Sequence, residues 1–144
     1  RYDEALLTGR GVRGRLTATA TGAGLGAFML AGSVGPVRAA LEKFVLPAPG
    51  EGPSPEQQRK GGFDLRFHGL AGDGQVIRAR VTGDRDPGYG STARMLGQAA
   101  ACLAEDIPRS AVGGGFWTPA TAFGDKLIAR LEGHSGLKCE LLEN

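Results

Sequence analysis

The residues of this chain that could do chemistry fall into three short groups. Tyr89, Ser91 and Thr92 follow Asp86-Pro-Gly88, where the apolar period changes from that of a strand to that of a helix. A helix that begins at such a turn points unpaired backbone N–H groups outward, and these suit an anionic group of a ligand. Trp117 and Thr118 stand at a second helix start behind Gly113-Gly-Gly115, where the indole is either core packing or the wall of a pocket. Arg66, His68, Arg78 and Arg80 occupy alternate positions of two neighbouring strands and pool on one face against a single acid, Asp64. Forked guanidinium groups there would receive a carboxylate or phosphate; the alternative is a sheet surface that is solvated or turned to another subunit. No nucleophile stands beside a base, so no catalytic residue is assigned and no self-contained chemistry is expected.

Two further patterns carry less. Gly22-Ala-Gly-Leu-Gly-Ala27 follows the alternating run Leu16–Thr21, with Glu42 beyond it at about the distance of a ribose-binding acid. On paper this is the G-x-G-x-x-A fingerprint of a dinucleotide site. A run of threonine and alanine is a poor core strand for a parallel sheet, however, and no further βαβ units follow. The glycines therefore read as helix-packing positions, and no cofactor is expected to bind this chain. Cys102 and Cys139 have no Cys or His at metal-ligand spacing and read as small buried apolar residues in a reducing compartment. His134 reads as a capping or surface residue, and no metal site is expected.

Length and composition bound the answer. A chain of 144 residues is the size of one domain, and 41% hydrophobic with 22% charged residues is a soluble, globular balance. The 25 glycines are more than double the usual share of about 7% and mark turns, caps and close helix contacts. A net charge of +2, with few aromatics and no basic patch between them, argues against a nucleic-acid partner.

The elements that must position these groups follow in order. The chain opens on Arg rather than Met and has no apolar period through Arg15, as if cut from something longer. Residues 16–46 form an apolar helical segment. From Leu16 to Val37 no residue is charged, over the length of a membrane-crossing helix (~20 residues). Its glycines, threonines and Pro36 leave it weakly apolar, suited to burial or to grazing a membrane surface. Val37–Leu46 reads as a short amphipathic helix stopped by Pro47 and Pro49. Residues 47–62 are a Pro/Gly-rich connector in which Ser54, Pro55 and Gln57 have the chemistry of a helix start.

Residues 63–142 then form a core of hairpin, helix, helix and strand. Phe63–His68 and Val76–Thr82 alternate, with Phe63, Leu65, Phe67, Ile77, Ala79 and Val81 inward. The helix from Tyr89 carries Ala93, Leu96, Ala100 and Leu103 as its apolar stripe. A second helix, capped by Thr118, carries Phe123, Leu127 and Leu131, and Leu137–Leu141 closes as a strand. The fold expected is α+β, a mostly antiparallel or mixed sheet with helices packed on one face, in a single domain of residues 1–144.

Four of these stretches together resemble a known family. Pro49-Gly-Glu-Gly-Pro-Ser-Pro-Glu-Gln57, Gly62-Phe-Asp-Leu-Arg-Phe67, Asp86-Pro-Gly-Tyr-Gly90 and Thr118-Pro-Ala-Thr-Ala-Phe-Gly124 are similar to the C-terminal half of saccharopine dehydrogenase-like oxidoreductases, in particular to the trans-acting enoyl reductase branch. The resemblance implies an N-terminal Rossmann domain, outside this chain, that binds NAD(P)H. It implies for this chain an α+β part that shapes the site of a small-molecule or acyl substrate, commonly mediates formation of a homodimer, and is inactive alone. In the intact enzyme a hydride would pass from the nicotinamide to an acyl, enoyl or imine acceptor in the cytoplasm, the cofactor supplying the chemistry. The positions expected to contact substrate are Arg66, His68, Arg80, Tyr89, Ser91, Thr92, Trp117 and Thr118. Some relatives carry an apolar stretch before the proline-rich connector, which implies a peripheral membrane contact for Leu16–Val37. The alternative is a non-enzymatic lipid- or protein-interaction module that uses residues 16–37.

Overall fold

The structure is a computed structural model that describes residues 2–143. The chain divides into two compact units, with the break between Glu51 and Gly52, inside the 47–62 connector.

The first unit is a bent helical pair, α1 (Gly11–Ser33) and α2 (Gly35–Phe44). Helix α1 begins five residues before the uncharged stretch. Only Gly14 is buried along it, because this residue packs so tightly on the Gly9 carbonyl that a Cβ would lie 2.3 Å from the oxygen. The alternating run Leu16–Thr21 lies within α1, and Gly22–Ala27 follows it in mid-helix, so the fingerprint has no strand in front of it. Val34 is extended, the Ser33 hydroxyl donates to the Leu30 carbonyl at 2.6 Å, and Pro36 sits in the first turn of α2. The two axes consequently meet at 109°. Neither helix is long and apolar enough to cross a membrane by itself; the two pass that test only together, across the bend. Helix α2 is amphipathic and carries an Arg38–Glu42 pair at 3.7 Å.

The second unit opens with α3 (Pro55–Lys60). Its start is a capping box: the Ser54 hydroxyl accepts from Gln57 N–H at 3.2 Å, and the Gln57 side chain accepts from Ser54 N–H at 2.7 Å. Strands β1 (Phe63–Leu70), β2 (Val76–Gly83) and β3 (Leu137–Leu142) form an antiparallel sheet in the order β1-β2-β3. Pairing continues to Leu70, beyond the alternating stretch, because the β1–β2 loop is tight: Ala71 N–H donates to the Gln75 carbonyl at 2.9 Å, with Gly74 at φ +87°. The register sets Leu65 and Cys139 on either side of Val81, and Phe67 and Leu141 on either side of Ala79, so these side chains share one face. The fold is α+β, with an antiparallel sheet and several helices and no Rossmann arrangement among the described residues.

Helix α4 (Gly90–Ala101) runs into a π-helical turn at Cys102–Asp106, where Ile107 N–H donates to the Cys102 carbonyl. The helix buries a different side from the one its apolar stripe predicts. Ser91 and Cys102 are buried and Met95, Gln98 and Ala99 half-buried, whereas Leu96 and Leu103 are 71% and 58% exposed. The cause lies on α6 (Asp125–His134), which presents Arg130 to this side of α4. The Arg130 guanidinium needs acceptors and finds them in the Asp106 and Glu105 carboxylates and in Gln98 Oε1 at 3.4 Å. The side of α4 that carries Met95, Gln98, Ala99 and Cys102 therefore turns inward, and the leucines stay outside.

The single helix expected after Thr118 is broken into α5 (Pro119–Phe123) and α6 by Gly124, whose φ of +52° ends one helix and starts the next. Phe123, Leu127 and Leu131 are half-buried, and α6 returns to lie against β3. The helices cover the apolar sheet face only in part: Leu65, Phe67 and Ile77 remain 51%, 50% and 54% exposed.

Helix α3 is held to the rest of the second unit by close backbone approach. Asp86 N–H donates to the Gln58 carbonyl at 3.0 Å, and a Cβ on Gly61 would lie 2.5 Å from the Asp86 backbone. Backbone cannot step aside as a flexible side chain can. Gly61→Ala should cost about 1–3 kcal/mol in urea unfolding with an unchanged m-value. A loss below the error of the measurement would show that this contact does not hold α3 in place.

Candidate functional site

The first candidate group lies where β2 hands over to α4. No side chain caps this helix from Tyr89, the residue that precedes it. Asp86 does so instead, by reaching forward: one carboxylate oxygen accepts from Tyr89 N–H at 2.7 Å and Gly90 N–H at 3.0 Å, and the other from Gly88 N–H at 3.3 Å. The place that the helix start offers to a ligand's anion is thus filled by a carboxylate of the chain itself. These three N–H donors, Gly90 first, hold the Asp86 carboxyl below the usual carboxylate range.

The three site residues of this turn differ in access. Ser91 is fully buried, with its hydroxyl donating to the Arg85 carbonyl at 3.3 Å. Thr92 is exposed, but its hydroxyl donates to the Pro87 carbonyl at 2.6 Å. Tyr89 is exposed, its ring lying beside Gly52, and its hydroxyl makes no hydrogen bond among the described residues.

The second group is the polar face of the sheet. Strand register places Arg66 opposite Arg80 and His68 opposite Arg78, so the four basic residues do share this face. The acid count differs from the expectation of Asp64 alone, because β3 adds Glu140 opposite Arg80. Arg80 is gripped by Asp64 through two bonds, Nε to Oδ1 at 3.0 Å and Nη2 to Oδ2 at 2.9 Å, with Glu140 at 3.7 Å on its other side. Arg80 holds the Asp64 carboxyl below its ordinary value, and Asp64 raises the Arg80 guanidinium in return. Arg66 reaches the same carboxylate at 3.4 Å, and Lys138 pairs with Glu140. Arg78 and His68 make no such contacts among the described residues, so they are the pair an incoming anion would meet. Alternation along Lys138-Cys-Glu140 was the signal for the second acid, since it puts both charges on one side of the closing strand.

The third group lines a cavity of about 780 Å³ within the second unit. Trp117 is half exposed on its wall and is pinned there, because Nε1–H donates to the Gly113 carbonyl at 2.8 Å. Leu103, Ile107, Val112 and Phe123 add apolar lining, and Arg109 is the one charged residue of the set. Thr118 caps α5, accepting from Thr121 N–H at 3.3 Å, and positions the Trp117 loop without lining the cavity. Nothing in the sequence pattern pointed to Arg109.

A second cavity, of about 760 Å³, borders Glu105, Asp106, Lys126, Arg130 and His134. Its charges satisfy one another: Asp106 and Glu105 raise the Arg130 guanidinium, and Lys126 donates to the Asp106 carbonyl. Cys102 is buried beside Asp106, and burial, then that carboxylate, push its thiol up, which suits an inert side chain. Cys139 is partly exposed, and His134 is the exposed last residue of α6. No group of three potential metal ligands occurs among the described residues.

Asp86 gives a pH test of the turn. Its carboxyl is depressed in the folded state, so its contribution is present above the unfolded value of about 3.9 and is lost as pH falls through the lower folded value. Asp86→Ala should therefore lower Tm by several degrees and by a constant amount between pH 5 and 8, and this gap to the parent should shrink as pH falls below about 4. A gap that does not depend on pH would show that the carboxylate's charge contributes nothing to the cap.

No protein-family model matches the chain, and no solved structure matches it significantly. Among curated proteins, a trans-acting enoyl reductase of Mycobacterium ulcerans is 36% identical over 141 residues, which is 91% of this chain and 32% of the relative. A trans-acting enoyl reductase of Mycobacterium tuberculosis is 40% identical over 93 residues, 65% of this chain and 22% of the relative. A provisionally named trans-acting enoyl reductase of the same species is 37% identical over 91 residues, 63% of this chain and again 22% of the relative. The chain thus spans between about a fifth and a third of the length of these relatives. Its similarity to proteins named trans-acting enoyl reductases supports an enoyl-reductase relation.

Proposed function

We propose that this chain is the substrate-binding and subunit-contacting part of a saccharopine dehydrogenase-like, NAD(P)-dependent enoyl reductase. The observation that carries this reading is the match over 91% of the chain to a relative three times its length that is named an enoyl reductase. The geometry is compatible with it. Among the described residues there is no βαβ unit for a dinucleotide, and the glycine fingerprint lies within one helix, where the N–H groups are engaged in the helix's own hydrogen bonds. The nucleotide would then be held by a part of the protein outside this chain. The cofactor would supply the hydride, and this chain would place the acyl acceptor against the nicotinamide. The half-open apolar sheet face would meet the second copy of a homodimer.

The experiment is titration of NADPH and NADH, followed by nucleotide fluorescence, into this chain and into the same chain extended upstream to its natural start. Binding at micromolar levels only by the extended protein is expected. Comparable binding by the 144-residue chain would overturn the division of labour and return the nucleotide site to Gly22–Ala27.

A second reading is favoured by α1, whose apolar residues Leu25, Met29 and Leu30 are exposed on a helix without charge from Leu16 onward. In it, the first unit grips a lipid surface from the cytoplasmic side, with Arg13, Arg15 and Arg38 at the ends of the uncharged stretch to meet anionic headgroups. Co-sedimentation with anionic vesicles should then be lost on deletion of residues 16–37, and equal sedimentation of the parent and deleted chains would remove this reading.

A further inference from the structure

The Trp117 cavity combines a mainly apolar lining with a single charged side chain. Its lining is largely apolar, with Leu103 and Ile107 from the end of the α4 region, Trp117 from the 108–117 loop and Phe123 from α5. Its volume of about 780 Å³ falls in the range of small-molecule sites (about 300–1,000 Å³). The indole is fixed by its bond to the Gly113 carbonyl, so the wall is formed before any ligand arrives.

One cation belongs to this lining. Arg109 is exposed and makes no ion pair or hydrogen bond among the described residues. The nearest acids in sequence, Glu105 and Asp106, are committed to Arg130. An apolar trough with a single unpaired guanidinium complements a molecule with a long apolar body and one anionic end.

We infer that this cavity binds an acyl chain along Trp117, Phe123, Leu103 and Val112, with Arg109 holding the anionic head group. The inference rests on the enoyl-reductase reading for why the apolar body is an acyl chain, and on the cavity alone for where it lies. The anion is either the carboxylate of a free acyl acid or a phosphate on a group that carries the chain.

Trp117 is the only tryptophan of the sequence and so reports on its own wall. The experiment titrates dodecanoate and dodecyl phosphate below their micellar concentrations, and dodecanol below its solubility limit, into the 144-residue chain without cofactor, and follows tryptophan emission. Saturable binding of the two anions is expected, weakened about tenfold or more by Arg109→Gln, with dodecanol binding unchanged by that substitution. Tighter dodecanoate assigns the free acid as the source of the anion, and tighter dodecyl phosphate assigns the carrier-borne group. Val112→Arg, with its fold checked by circular dichroism, should abolish binding of all three. No saturable binding by the parent chain, an unchanged anion affinity in Arg109→Gln, or full binding by Val112→Arg would each overturn the assignment. Because no turnover is read, failure here leaves the hydride-transfer reading standing, and failure of the nucleotide titration leaves this site standing.

Discussion

The carboxylate of Asp86 is the point on which the second unit depends. It satisfies three successive N–H groups where β2 becomes α4, and its own backbone N–H and carbonyl bond to Gln58 and Ser91. One residue therefore joins α3, the end of the sheet and the main helix. Isolated N–H groups at a helix start are costly when no acceptor reaches them, and here the acceptor arrives with a full charge. The same arrangement settles how this corner can serve a ligand. A helix terminus that already holds an internal anion presents no vacant positive pole, so a ligand of this unit would have to be met by side chains elsewhere, such as those on the sheet and around Trp117.

Around that joint the molecule is held more by polar contacts than by an apolar core. Among the described residues only Cys102 and Leu137 are buried hydrophobics, whereas Arg130 ties α6 to the end of α4 through two carboxylates and an amide. The outer stripe of α4 and much of the apolar sheet face are left to water. Surfaces of that kind are expensive unless something covers them, and they are common where a protein meets a ligand or another protein. Leu103 shows both sides of this, since the turn of the helix that denies it a place in the core makes it a wall of the Trp117 cavity.

Local chemistry made part of this legible in the sequence. Ser54-Pro-Glu-Gln57 and Thr118-Pro119 announce helix starts because caps act over three or four residues, and both are found with the expected donors and acceptors. Strand alternation placed Arg66, His68, Arg78 and Arg80 on one face for the same reason, since the period of two needs no knowledge of the partner strand. The side of α4 that is buried was not legible. Periodicity ranks Leu96 and Leu103 above Gln98 and Cys102, and only the position of Arg130, some thirty residues on, reverses that order. Neither was the break at Gly124, because a glycine within a helical pattern is compatible with passage or with a stop. Arg109 stayed invisible, for a lone arginine in a loop acquires meaning only when Trp117 and Leu103 are brought beside it.

The π-helical turn at Cys102–Asp106 bears on how this chain can vary. A turn closed five residues apart instead of four is an α-helix with one residue inserted, so each side chain beyond it is rotated by about 100° relative to an uninterrupted helix. Cys102 and Asp106, four residues apart, share one side of this turn as they would in an ordinary helix, and Arg130 bonds to the Asp106 carboxylate there. Loss of one residue between Ala101 and Asp106 would close this turn at four residues and leave the facing of Asp106 nearly unchanged. Homologous chains that lack this extra residue can therefore keep an arginine at position 130, and the length of this turn can vary without it.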